Sequence, residues 1–82
     1  MSPVILRRNG FVFRIFFPPR EHGRAHVHVR KGGAEAVISL ADASVRDAGS
    51  MRAADLSRAQ AIVQARREEL LEIWEAYHED ED

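Results

Sequence analysis

The stretch from Glu21 to Val29, EHGRAHVHV, holds three of the chain's four histidines, His22, His26 and His28, beside the carboxylate of Glu21. Imidazole changes charge near neutral pH, so a cluster of such rings can pass protons or hold a metal. Two chemistries fit. As ligands, His22, His26 and His28, with Glu21 or Glu35 completing the shell, suit zinc or another borderline divalent ion, although the spacing H-x3-H-x-H is permissive rather than diagnostic. As catalysts, one of His26 and His28 accepts a proton from a nucleophile such as a ribose 2′-OH and the other protonates the leaving oxygen. Arg24 or Arg30 then stabilises the charge on phosphorus. The catalytic set on that reading is His26, His28, Arg30 and Glu35. A third account needs no chemistry: the open face of a strand takes polar residues, histidine serves there, and Glu35 neutralises Arg30 across the strands.

The choice depends on the elements that carry these side chains. His26-Val27-His28-Val29-Arg30 alternates with period two, and Lys31-Gly32-Gly33-Ala34 supplies a turn before Glu35-Ala36-Val37-Ile38-Ser39-Leu40, which makes a β-hairpin. With Gly32-Gly33 at the centre of the turn, Arg30 opposes Glu35, Val29 opposes Ala36, His28 opposes Val37, Val27 opposes Ile38 and His26 opposes Ser39. Val27, Val29, Ala36, Ile38 and Leu40 then share the core face. His26, His28, Arg30, Glu35 and Ser39 share the other, with the two histidine Cβ atoms ~7 Å apart. An earlier hairpin runs from Val4 to Phe17 around Asn9-Gly10, a dipeptide that tolerates the two positive φ angles of a type I′ turn. Phe11, Phe13, Ile15 and Phe17 face one way and Val12, Arg14 and Phe16 the other, until Pro18-Pro19 ends the pairing.

Residues 41 to 50 carry weak signals. Ala43 to Arg46 reads as a short edge strand and Gly49-Ser50 as a break, with Ser50 the expected N-cap. From there to His78 the chain lacks proline and glycine. Leu56, Ala59, Val63, Arg66, Leu70, Ile73 and Tyr77, with Ile62 and Trp74 alongside, form a helical stripe interrupted by Arg66-Arg67. One straight helix from Arg52 to His78 would be ~40 Å long, beyond the ~30 Å width of so small a globule. Either the helix breaks between Gln64 and Arg67, or its far end projects to meet another chain. The acidic tail, residues 79 to 82, should fray, because carboxylates oppose the negative end of a helix dipole. The expected fold is α+β: two hairpins, with a possible short fifth strand, form a small antiparallel sheet packed on a long or broken C-terminal helix. It is one domain over residues 1 to 82, with the sheet over about 3 to 46 and the helical part over about 51 to 78.

Composition narrows the functional classes. The 82 residues include no cysteine, which removes disulfides, thiolate ligands and cysteine nucleophiles and suits a reducing cytoplasm. No window approaches the ~18 apolar residues of a membrane span, and none reads as a secretory leader. The net charge of −1 conceals a polarity, since residues 1 to 40 sum to +5 and residues 41 to 82 to −6. That polarity is met by pairing within the chain or by an anionic partner, with Arg7, Arg8, Arg24 and Lys31 as nucleic-acid contacts.

Taken in order, VILRRNGFVFRIFF, EH, HVHVRKGGAEA and REELLEIWEAYH resemble the small bacterial family known as domain of unknown function 4160. The resemblance covers nearly the whole chain. One departure concerns the site: the family usually has prolines between EH and HVHV, where this chain has Gly23-Arg24-Ala25, so His22 lacks a stiffened loop. The resemblance implies an α+β domain. It also implies a neighbouring small protein of the domain of unknown function 2442 family, in an arrangement similar to toxin-antitoxin pairs. The expected function is therefore an intracellular interaction module, one component of a two-protein toxin-antitoxin-like or regulatory system. Its partner, or a second copy of itself, docks on Ile73, Trp74 and Tyr77, and its basic hairpins touch nucleic acid. The alternatives are a histidine-dependent hydrolase, such as a ribonuclease-like toxin, and a metal-binding module using the H-V-H strand.

Overall fold

The computed structural model describes residues 4–15 and 24–78, the side chains of Val4 and His78 excepted. Strands β1 (Val4–Arg8), β2 (Phe11–Arg14), β3 (His26–Lys31), β4 (Ala34–Ser39) and β5 (Val45–Asp47) are followed by helices α1 (Ala53–Ala65) and α2 (Arg67–His78). The strands form one antiparallel sheet in the order β1-β2-β3-β4-β5, an α+β architecture in which every strand pairs with its neighbour in sequence.

All five predicted pairs of the second hairpin occur, His26 with Ser39 through Arg30 with Glu35. Val27, Val29, Ile38 and Leu40 are completely buried and Ala36 nearly so. A slip of one residue would turn this set outward, at about 1.5–3 kcal/mol for each large apolar side chain. No turn preference offsets a sum of that size. The turn itself uses less glycine freedom than expected: Gly32 takes φ +59° and Gly33 has no positive φ, which matches a II′ turn, where only the first central residue is left-handed. In the first hairpin Asn9 (φ 53°) and Gly10 (φ 84°) both take positive φ, as a type I′ turn requires. Phe11, Phe13 and Ile15 line the core, and Phe17 lies outside the described residues.

Two local expectations are corrected. The edge strand begins at Val45 rather than Ala43, because Ala43 is left-handed (φ 61°) and its N–H donates to the Ser39 carbonyl at 2.9 Å, closing a tight loop. Ser50 does not cap the first helix. Arg52 holds that position in an extended conformation without a side-chain cap bond, and Asp55 in the first turn meets the positive end of the dipole instead.

The helix breaks inside the predicted window. Arg66 leaves helical geometry at φ −119°, ψ 22°, and its N–H is shared between the carbonyls of Ile62 and Val63 at 3.1 and 3.2 Å. Arg67 Nη1 donates to the Ala41 carbonyl at 2.8 Å, which ties the start of α2 to the loop after β4. Ala59, Val63, Leu70 and Trp74 are the buried apolar residues of the two helices.

Gly49 marks the closest approach of two backbones. It takes φ +56°, and a Cβ placed there would lie 1.9 Å from the carbonyl oxygen of Glu35, far inside any real contact. Gly33 has open space around its Cβ position. Gly49→Ala is expected to lose at least about 2 kcal/mol, a fall of roughly 10 °C in Tm for a domain of this size, while Gly33→Ala stays within about 0.5 kcal/mol of wild type. Thermal denaturation followed by circular dichroism compares the two.

Candidate functional site

The alternation of β3 sends His26, His28 and Arg30 to the face opposite Val27 and Val29. His26 and His28 stand with ring centroids 5.2 Å apart, edge to face at 66°. Their surroundings differ. His26 is only 5% exposed, against an expectation that the pair would share an open face, and the ring of Trp74 lies 5.0 Å from it. Its Nδ1 donates to the Arg24 carbonyl at 2.8 Å, which orients the ring and, in the neutral imidazole, makes Nε2 the acceptor. His28 is half-buried, with its Nδ1 3.9 Å from Glu35 Oε2. That separation is a charge contact when the ring is protonated, and too long for a hydrogen bond.

Glu35 therefore turns toward His28. Although it opposes Arg30 in register, no ion pair joins the two, which corrects the expectation of a cross-strand Arg30–Glu35 pair. The catalytic candidates His26, His28, Arg30 and Glu35 do share one face of one hairpin. Of the metal candidates, His22 lies outside the described residues, as does Glu21. Among the described residues no three His, Cys, Asp or Glu side chains stand close enough to hold a metal ion. The Nδ1 bond of His26 to a carbonyl is still the kind of outer contact that orients a metal-ligating ring.

Lys31, expected among the nucleic-acid contacts, is committed elsewhere. Its ammonium lies 3.2 Å from Asp55 Oδ1 and 5.0 Å from the centre of the Phe11 ring, so it bridges the sheet to α1. Arg7, Arg8 and Arg24 are exposed. The Arg24 carbonyl accepts both His26 Nδ1 and, at 3.4 Å, Arg46 Nη1. Of the expected partner interface, Trp74 is 8% exposed and packs inside the chain, while Ile73 and Tyr77 are half-buried beside the core.

Sequence reasoning missed two charged residues. Asp55 is nearly buried and draws Arg58 to 3.4 Å and Arg52 to 3.9 Å besides Lys31. The spacing R-x-x-D-x-x-R signals the helical part of this cluster, but nothing local signals Lys31. The Lys31 hydrogen bond holds the Asp55 carboxyl below its ordinary range, with the positive charges of Lys31, Arg52 and Arg58 adding to it against the cost of burial. The second missed residue is Arg14, which opposes His28 in the β2–β3 ladder and has its Nε buried without a hydrogen-bond partner among the described residues.

Two concavities among the described residues lie away from the histidines. One, of about 460 Å³, lies at the helix break between Gln64 and Glu69. The other, of about 240 Å³, lies between Arg8-Asn9 and the α1 residues Ala61, Ile62 and Ala65. No helix is long and apolar enough to cross a membrane among the described residues.

A family model described as Domain of unknown function (DUF4160) matches residues 10–75 of this 82-residue chain, a span that takes in β2 to β5, α1 and most of α2. No curated protein and no solved structure matches it.

Two measurements test this electrostatic and packing account. Because the folded pKa of Asp55 is depressed, its contribution to stability is complete above the ordinary aspartate value of about 3.9 and disappears as pH falls through the lower folded value. Asp55→Asn should thus be less stable than wild type at pH 7, with the gap closing below about pH 4, as read from urea midpoints. His26→Ala should cost roughly 1–3 kcal/mol, since it removes a buried ring and its hydrogen bond, and His28→Ala should cost less.

Proposed function

The chain belongs to the family described as Domain of unknown function (DUF4160), and on that premise we propose that it is a non-enzymatic interaction module of the cytoplasm, one component of a two-protein toxin-antitoxin-like or regulatory system. The observation that carries this reading is the outer surface of α2. Glu68, Glu72 and Glu75 are exposed along one side of the helix, opposite the buried Leu70 and Trp74, while half-buried Leu71, Ile73 and Tyr77 border the buried side. Among the described residues none of these three glutamates has an ion-pair partner, and Lys31–Asp55 is the one side-chain ion pair joining the basic and acidic halves. Among the described residues the charge polarity is thus little offset by pairing within the chain. A half-buried apolar margin beside unpaired carboxylates suits a partner with a basic, partly apolar face.

The test is co-expression with a small protein of the domain of unknown function 2442 family, followed by size-exclusion chromatography with light scattering. A stable complex weakened at least tenfold by Ile73→Asp supports the reading. A strictly monomeric chain, alone and with that partner, overturns it.

A second reading, a histidine-dependent hydrolase of the ribonuclease type, is favoured by one arrangement: His28 stands between Glu35 and the register partner Arg14, with the His26 ring against it. On that reading His28→Ala, which spares the buried His26, abolishes RNA cleavage while leaving Tm nearly unchanged. Retained cleavage would exclude it. The metal-binding alternative predicts stoichiometric zinc or another divalent ion by elemental analysis of untagged protein.

A further inference from the structure

Arg7 opposes Val12 and Val12 opposes Arg30, while Arg14 opposes His28. Partners in an antiparallel ladder project to the same face, so Arg7, Arg14 and Arg30 stand together on β1, β2 and β3, on the side away from Phe11, Phe13, Val27 and Val29. Strands ~4.8 Å apart and residues ~7 Å apart along a strand place the three guanidinium groups in one patch. None of the three has an ion-pair partner among the described residues. The carboxylate nearest to Arg30 in register has turned to His28, and among the described residues Arg14 Nε has no hydrogen-bond partner. Like charges on neighbouring strands repel each other, so a patch of this kind is relieved by an anionic ligand. The cation of the opposite face, Lys31, is matched by Asp55 and offers a ligand nothing.

We propose that this face of the sheet binds the phosphodiester backbone of a single-stranded nucleic acid, with Arg7, Arg14 and Arg30 each meeting a phosphate. The planar guanidinium fork suits phosphate oxygens, and three arginines without a buried aromatic anchor suit an electrostatic ligand better than a peptide, whose affinity rests on such anchors. An open sheet face accepts an unpaired strand laid across it, whereas reading a duplex takes a helix or ribbon that enters the major groove. Glu35 on β4 and Asp47 on β5 border the patch and direct the ligand over β1 to β3. The half-buried His28 sits at its inner edge. Of the sequence-based set Arg7, Arg8, Arg24 and Lys31, this site includes Arg7. It goes beyond the protein-partner reading and does not depend on it.

The experiment is fluorescence anisotropy with a labelled oligouridine of about 12 nucleotides, between about 50 and 200 mM salt. Three phosphate contacts at about −0.7 each give a slope of log K against log salt of about −2. Arg30→Gln and Arg7→Gln, both exposed, should each reduce that slope by about 0.7, while Arg52→Gln, an exposed arginine at the start of α1, leaves it unchanged. Arg14→Gln should act like Arg30→Gln, with its melting curve recorded beside the titration. The proposal is overturned by the absence of binding at 50 mM salt, by equal affinity for the same strand paired to its complement, or by equal losses in Arg52→Gln and Arg30→Gln. None of these outcomes bears on the complex sought by light scattering, so the two readings fail separately.

Discussion

The pairing of β3 with β4 is the constraint on which the remainder of the structure depends. Because side chains alternate strictly along a strand, the single decision that buries Val27, Val29, Ala36, Ile38 and Leu40 also fixes the side on which His26, His28, Arg30 and Glu35 must stand. The same register passes outward through the ladders. It aligns Arg14 with His28 and Arg7 with Arg30 by way of Val12, and on the other side it brings Asp47 opposite Val37. The core and the polar surface are thus two readings of one alternation, and neither can be altered without the other.

Within that frame the two histidines part company. His26 is held from two directions, by a backbone carbonyl on one ring nitrogen and by Trp74 across the ring, so it fastens the end of the sheet to α2. His28 keeps partial access to solvent and has a carboxylate within charge range. Residues two positions apart in sequence and identical in type therefore have unequal chemical freedom. The difference comes from the Arg24 carbonyl and Trp74 beside one ring and Glu35 beside the other.

Much of this was legible beforehand. Five cross-strand pairs, the Asn9-Gly10 turn and the window of the helix break follow from period-two alternation, from φ preferences and from the length a small globule can accommodate. What escaped depends on contacts between distant parts of the chain. Lys31 reads locally as a turn cation and becomes the partner of Asp55, 24 residues later. Gly49 looks like simple punctuation, yet it lies against the Glu35 carbonyl. Trp74 belongs to an amphipathic stripe whose direction only the break at Arg66 decides, and Arg14 gains its place in the basic patch from a ladder joining two separate hairpins. Local rules locate elements well. They do not reveal which elements share a charge.

The order of the strands has a kinetic consequence. In a meander each strand finds its partner next in sequence, so most of the sheet can assemble by closing short loops, and low contact order favours rapid folding. The exception is the pairing of β2 with β3, whose strands are separated by residues 15–25, the widest sequence separation between paired strands of the sheet. That pairing is also the one that brings Arg14 beside His28. The polar patch therefore rests on the pairing whose strands lie farthest apart in sequence.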